Sequence, residues 1–258
     1  MLRYLRSSFF EKYIKSNLKL LLFSDKIIEK FKILLPYEED WFYFKNYKLK
    51  KKDIILDIGA HWGESAITFS KFYPKNKILS FEPNEYVFKK LQKNTKDLNV
   101  KTYNYGISFN KISKLYFPYF RQHQLSLWGS QNLINLKKRI DKYTYLNSKD
   151  LTFKLVKCKF NKLPEIKERI GILKIDVEGN EYEVVKIAES YILRDNPLLF
   201  IEHNSSNFNK IFNLMKKIKY KAYYYLNGNL VEIKFLPHIK TILKKKRKRT
   251  TNIIFLKG

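Results

Sequence analysis

A chain of 258 residues, 45% of them hydrophobic, is long enough for one α/β domain with an appendage and can bury a full-sized core. Its formal net charge of +28 favours anionic partners such as nucleic acid, a phospholipid surface or an acidic glycan. AT-rich coding also inflates Lys together with Asn, Ile, Phe and Tyr, so charge alone decides nothing. The only cysteine, Cys158, excludes an internal disulfide framework and fits a reducing, cytoplasmic compartment. No stretch reaches the roughly 18 apolar residues that a spanning helix needs.

Residues 1–45 read as an N-terminal amphipathic helical extension. Leu2, Leu5, Phe9, Tyr13 and later Leu18, Leu21, Leu22 recur at helical spacing with lysines between them. A helical cap on the main domain is the preferred reading; the alternative is peripheral contact with the inner face of a membrane, since basic amphipathic helices bind anionic lipid. The segment is basic, but charges interrupt it and no small-residue cleavage site follows, so it does not read as a secretory signal.

From Asp53 the pattern changes to short apolar runs alternating with helical segments. Strands are expected over 54–58, 77–81, 100–105, 171–177, 198–203, 220–226 and 252–256. Helices are expected over 64–72, 85–94, 181–190 and 208–218. That alternation predicts an α/β domain over 46–258, a mostly parallel sheet with helices on both faces. A polar, aromatic segment at about 117–150 is inserted into it. It holds Arg121, His123 and Trp128 in the stretch PYFRQHQLSLWGSQN, residues suited to hydrogen bonding and to stacking on a sugar. A lid or binding loop on the acceptor side is the expectation, and a surface hairpin without a ligand is the alternative. The basic run KKKRKR at 244–249 reads as a solvated loop, with a phosphate-binding patch as the minority alternative.

In an open parallel sheet, ligands sit beyond the carboxyl ends of the strands where strand order reverses. The stretch DIILDIGAHWG places Gly59 and Gly63 in the first such turn, where missing side chains let a ligand approach the backbone. The spacing is not that of a dinucleotide fingerprint, and Asp57 ends the strand. A carboxylate suits a cationic cofactor bearing an ammonium and a sulfonium better than it suits a pyrophosphate. In LSFEPN, Glu82 ends the second strand, about 20 residues on, where an acid typically accepts both ribose hydroxyls. Ala60, His61, Pro83 and Asn84 fall in the same two turns. Gly106 and Ile107, in YNYGIS, are positioned to pack against an adenine.

These pieces resemble the FkbM family of methyltransferases: LDIGAHWGESAITFS, ILSFEPNEYVFKKLQKN, the YNYGIS turn, and above all ILKIDVEGNEYEVVKIAESYILRDNPLLFIEHN. The similarity covers about residues 53–204. The family's usual Asn in the glycine turn is His61 here. The resemblance implies a Rossmann-like, class I methyltransferase fold, S-adenosyl-L-methionine as cofactor, and methyl transfer to a hydroxyl of a small molecule, sugar or glycan.

A hydroxyl is a weak nucleophile at neutral pH, so a base or a metal should assist. Asp176 and Glu178, in KIDVEG, and His203, after LLFIE, are the candidate catalytic residues, with Glu202 on the substrate side. If the strand continued through both, Asp176 and Glu178 would share a face; the Asp-Val-Glu-Gly turn offers the opposite outcome. Glu178 has an alternative role in capping the following helix, and His203 that of a satisfied strand-end histidine. Mg²⁺ or Mn²⁺ could suit these acids, but nothing in the spacing defines a ligand set. An RNA ribose 2′-O-methyltransferase using Lys174, Asp176 and Glu202, or a non-catalytic cofactor-binding adaptor, are the competing functions.

Overall fold

The computed structural model describes residues 39–110, 112–120, 123–125, 129–130, 132–143, 147–203, 207–235 and 252–258. The helices expected before residue 39, the side chains of Arg121, His123 and Trp128, and the basic run at 244–249 lie outside the described residues. The chain divides into two compact units, one built on residues 113–157 and the other on residues 39–112 and 158–258 among those described.

The larger unit carries an eight-stranded sheet. In chain order its elements begin with β1 (Ile54–Ile58), α1 (Glu64–Phe72), β2 (Lys77–Phe81), α2 (Glu85–Thr95), β3 (Val100–Tyr103) and the short β4 (Gly106–Ile107). The smaller unit takes most of β5 (Ile112–Phe120), then β6 (His123–Gln124), α3 (Leu133–Tyr143) and the first part of β7 (Thr152–Asn161). The chain then continues with β8 (Ile170–Ile175), α4 (Glu181–Ile187), α5 (Glu189–Asp195), β9 (Leu198–Glu202), α6 (Phe208–Lys217), β10 (Tyr220–Leu226), β11 (Asn229–Glu232) and β12 (Asn252–Lys257).

Sheet order is β11-β10-β12-β9-β8-β1-β2-β3. From β3 to β9 every neighbouring pair is parallel, whereas β12 runs antiparallel to both β9 and β10, and β11 closes a hairpin on β10. The chain leaves β1 toward β2 on one side and leaves β8 toward β9 on the other. The β1/β8 boundary is therefore the switch point, where the flanking loops separate and open a crevice.

Period-2 alternation along β1 sorts its side chains between the two faces. Ile54, Leu56 and Ile58 join the core packed by α4 and α6 through Val184, Val185, Phe208 and Ile211. Ile55 joins the other core, made with Ala66 and Phe69 of α1 and Phe44 of the 3-10 turn Glu39–Lys45. Asp57 shares the parity of Ile55, so its carboxylate is directed under α1.

Four elements differ from the pattern expected of the sequence. The third strand stops at Tyr103, and β4 pairs in parallel with Phe160 and Asn161 of β7 instead of prolonging β3. The helix expected at 181–190 is two helices, interrupted at Ala188. β11 follows an Asn227-Gly228 turn in which both residues have positive φ, as a tight hairpin requires. The segment at 117–150, expected as a lid or binding loop or as a surface hairpin, carries regular elements of its own. In the smaller unit, β5 pairs antiparallel with β6, and Leu136 and Ile140 of α3 form a core of their own with Leu151. Leu133, Leu136 and Ile140 are spaced as a helix face, a period that the surrounding polar residues obscured.

Candidate active site

The crevice is floored by the first turn after β1. Gly59 and Gly63 adopt φ of +81° and +94°, and His61 also lies in the left-handed region at +48°. Asn, Asp and His are the side chains that most often accept that conformation, which is why His61 can stand where the family usually carries Asn. The expected reason for the glycines needs correcting, because their empty side-chain positions face protein and not open crevice. A Cβ on Gly59 would lie 1.7 Å from the carbonyl oxygen of Asp176, and one on Gly63 would lie 3.0 Å from Leu91 of α2. Gly59 is thus required by the contact between the β1 and β8 loops.

Asp57 is wholly buried. Its Oδ2 accepts hydrogen bonds from the hydroxyls of Ser65 (2.7 Å) and Ser80 (3.2 Å), and its Oδ1 lies 3.2 Å from the Lys174 ammonium. The carboxylate expected to meet the cofactor is enclosed by α1, β2 and β8, so its charge reaches the crevice only through these partners. Lys174 also donates to the carbonyl of Gly59 (2.7 Å) and sits 3.7 Å from Asp176 Oδ2. Burial acts to lower the Lys174 pKa, but the Asp57 and Asp176 carboxylates outweigh it and leave it above its ordinary value.

Glu82, after β2, is nearly buried and is oriented by backbone donors. His61 N–H donates to one carboxylate oxygen at 3.1 Å and Asn84 N–H to the other at 2.8 Å. Burial pushes its carboxyl above the ordinary value, against the influence of His61 and these two bonds. Each oxygen keeps a further lone pair, the arrangement that a pair of ribose hydroxyls needs. Asn84 caps α2 by accepting from Tyr86 N–H (3.1 Å), and its Nδ2 is buried without a hydrogen-bond partner among the described residues. Pro83 lies between them. Ala60 N–H and Gly59 N–H both donate to the Phe81 carbonyl at 3.0 Å, joining the β1 and β2 loops. The residues present therefore fit an adenosine-bearing cofactor. Gly106 and Ile107 are buried: a Cβ on Gly106 would meet the Phe160 ring at 2.4 Å, and Ile107 belongs to the core. Both side-chain positions are taken by packing, which leaves only their backbone for contact with an adenine.

The acidic side of the crevice comes from β8 and β9. β8 ends at Ile175, and Glu178 (φ +57°) and Gly179 (φ +116°) reverse the chain, so the shared strand face of Asp176 and Glu178 does not form. Asp176 stays against β1 through its N–H bond to the Ile58 carbonyl (3.0 Å) and is 39% exposed at its side chain, open enough to meet a substrate. Glu202 ends β9, with the carboxyl of Asp176 among its neighbours. Burial, with the neighbouring Asp176, Glu178 and Glu181, raises its pKa strongly and keeps it protonated. Glu178 itself is exposed. His203 lies edge-on to Phe208 (4.4 Å), its Nδ1 has no hydrogen-bond partner among the described residues, and burial lowers its pKa so that the ring is neutral.

Two residues outside the main assignments stand out. Lys174, named above only for the RNA alternative, is the buried cation joining the two loops. Glu181 is fully buried, with Oε1 accepting from Gly179 N–H (2.9 Å) and Oε2 unpartnered among the described residues. It supports the Glu178-Gly179 reversal. Among the described residues no group of three or more His, Cys, Asp or Glu is arranged to hold a metal ion. Burial pushes the Cys158 thiol up to about 12, which removes it as a nucleophile.

The crevice at the β1/β8 switch point, with acids closing β1 and β2 and no phosphate-type glycine repeat, defines a Rossmann-like methyltransferase domain of class I. A family model described as the methyltransferase FkbM domain matches residues 57–225, and the chain belongs to that family. Among solved structures, the methyltransferase FkbM of Methylobacillus flagellatus is similar at 13% identity and TM-score 0.50, over 87% of this chain and 47% of that one. This chain thus spans about half the length of that relative. A precorrin-6y C5,15-methyltransferase from Geobacter metallireducens aligns at 12% identity and TM-score 0.44, over 87% and 90% of the two chains. An S-adenosylmethionine-dependent O-methyltransferase from Thermotoga maritima aligns at 11% identity and TM-score 0.43, over 86% and 66%. No curated protein matches the sequence.

Proposed function

We propose that the protein methylates a hydroxyl group of a sugar or glycan, with Asp176 as the residue that takes the hydroxyl proton. The supporting observation is the placement of Asp176. It is partly exposed, held against the cofactor turn by Ile58 and Lys174, and backed by a protonated Glu202. Glu82 would accept from the ribose hydroxyls, and the turn of Gly59, Ala60, His61 and Gly63 would line the cofactor. Bound there, S-adenosylmethionine supplies a methyl group on a sulfonium. Alignment of the two reactants provides much of the rate, and removing the proton as the hydroxyl attacks provides a further factor. In this reading Glu202 supports Asp176 before it meets substrate, Glu178 borders the acceptor's path, and His203 is a neutral, secondary proton acceptor.

Arg121, His123 and Trp128 are the proposed sugar contacts. Exchanging His123 and Trp128 for Ala is expected to raise the acceptor KM with little change in kcat. The protein is proposed to work in the cytoplasm. No described helix is long and apolar enough to cross a membrane. Mass spectrometry of glycan and lipid-linked sugar fractions, from cells with and without the gene, tests the substrate class. Loss of one methyl from a sugar supports it, and methyl loss confined to RNA ribose overturns it. Asp176→Ala should abolish transfer while binding of S-adenosylhomocysteine changes by less than about threefold; wild-type turnover in that variant would sink the assignment.

A further inference from the structure

Four lysines converge on a groove at the end of the sheet away from the cofactor turn. β10 begins with Tyr220 beside Lys257 of β12, and Phe255 of β12 lies beside Leu199 at the start of β9. This corner therefore sits at the amino ends of the parallel strands, whereas Gly59, Glu82 and Asp176 follow their carboxyl ends. The groove has a volume of about 440 Å³ and is lined by Lys216 at the end of α6, Lys219 in the following turn, Lys221 of β10 and Lys234 beyond β11. Phe212 and Ile233, both buried, give it an apolar wall.

A lysine-rich chain carries lysines over its whole surface, and the carbonyl end of a helix attracts them. That accounts for Lys216 and Lys219 but not for Lys221 and Lys234. The Ile233 N–H donates to the Ala222 carbonyl at 2.8 Å, and one step further along this register Lys234 faces Lys221. Like charges set opposite one another weaken strand pairing. Lys219 bears a second cost, because its φ of +61° lies in the left-handed region that glycine adopts without a steric penalty. It is fixed there by its own N–H bond to the Lys216 carbonyl (3.1 Å) and by the bond its carbonyl accepts from the Gly258 N–H (2.9 Å). None of the four ammonium groups forms an ion pair among the described residues. Setting Glu232 and the carboxyl of Gly258, which also line the groove, against the four lysines still leaves two positive charges uncompensated.

We propose that this groove is a second binding site, separate from the methyl-transfer crevice, and that it takes a phosphate ester. The proposal goes beyond the function proposed above and does not depend on it. A phosphate monoester has its second pKa near about 6 and is a dianion at neutral pH, which matches the two uncompensated charges. Lysines bind phosphate as mobile point charges and need no planar fork. The volume falls in the range of small-molecule sites, roughly 300–1,000 Å³, so an organic body fits beside the phosphate against Phe212 and Ile233. That body belongs to a soluble ester or to a lipid headgroup; the recognised chemistry is the same.

The test is calorimetry of the full chain with phenyl phosphate at neutral pH and physiological ionic strength. Wild type should bind, and Lys221→Gln with Lys234→Gln should bind at least tenfold more weakly, from two lost charges each worth on the order of tenfold or less in water. Lys51→Gln with Lys52→Gln removes the same charge from exposed positions before β1 and should change nothing. Lys219→Gly relieves the left-handed turn, so it should raise the urea midpoint while weakening phenyl phosphate; unchanged binding there overturns the proposal. Saturating S-adenosylhomocysteine should not displace phenyl phosphate, and displacement would put the phosphate in the crevice and overturn it too. Sedimentation with phosphatidylcholine vesicles containing phosphatidic acid separates the two sources. Vesicle binding that is lost in the Lys221/Lys234 double variant marks a lipid headgroup, and phenyl phosphate binding without vesicle binding marks a soluble ester. If neither phosphate probe binds, or if the double variant loses only affinity for single-stranded RNA, the proposal fails.

Discussion

Gly59→Ala tests whether the contact between the β1 and β8 loops builds the crevice. The added Cβ would lie 1.7 Å from the Asp176 carbonyl oxygen and 2.8 Å from its carbon, atoms of backbone that cannot swing aside as a side chain can. Gly228, in the β10–β11 hairpin, has nearly the same φ, +83° against +81°, with nothing within 4 Å of its would-be Cβ. Gly228→Ala therefore measures the left-handed penalty alone, about 1–2 kcal/mol. In Gly59→Ala the loops must also part by more than an ångström. That movement disturbs the Asp176–Ile58 bond and the two bonds to the Phe81 carbonyl, at about 1 kcal/mol each. The expected losses are about 3–5 kcal/mol for Gly59→Ala and about 1–2 for Gly228→Ala, read from urea midpoints at constant m. Near-equal losses in the two variants would refute the close-approach argument. Calorimetry with S-adenosylhomocysteine should show at least tenfold weaker binding to Gly59→Ala and unchanged binding to Gly228→Ala.

Other expectations follow from the same charges. Asp57→Ala leaves the buried Lys174 ammonium without its main partner and should cost about 3–5 kcal/mol in denaturant unfolding. Asp57→Asn with Lys174→Met should recover most of that loss, and a double variant as unstable as the single one would contradict the pairing. Glu82→Ala should weaken S-adenosylhomocysteine about 10²- to 10⁴-fold, from the loss of two charged hydrogen bonds worth about 1.5–3 kcal/mol each; an unchanged isotherm would remove Glu82 from the cofactor site. Glu82, Glu181 and Glu202 all have folded pKa values raised above the ordinary 4.5. As pH rises above that value the unfolded chain releases protons that the folded chain retains, so these groups make stability fall with rising pH. Glu202→Gln should flatten that fall between about pH 5 and pH 8, whereas an unchanged slope in urea midpoints would show that Glu202 is ionised in the fold.

Much of the architecture was legible because apolar period reports burial directly. The runs IILDI, KILSF and LLFIE are too short for buried helices and read as central strands, and each falls within a residue of its expected bounds. The elements that escaped lacked that signal. β4 has two residues and β11 has four, too short for any period, and β7 alternates weakly because much of it is exposed. The helix α3 carried its apolar period inside a segment that composition marked as a loop. In the candidate site, Asp176, Glu82 and the glycine turn stood out because acids and glycines at strand ends have few other reasons to be there. Lys174 and Glu181 did not, since a lysine in a lysine-rich chain and a glutamate in an acidic turn carry no mark of burial.

The linear order of residues determined the doubly wound sheet, the crevice at the ends of β1 and β8, and the chemical types gathered there. Which of those residues face the crevice was decided only by tertiary structure. Strand parity and a 3.2 Å ion pair turn Asp57 inward. A carbonyl of another loop, and no ligand, occupies the space beside Gly59. The left-handed turn at Glu178 and Gly179 separates two acids that simple alternation would have aligned. The reason is physical: charge state and exposure depend on what lies within a few ångströms in space, and Lys174 meets Asp57 and Gly59 across more than a hundred residues of chain.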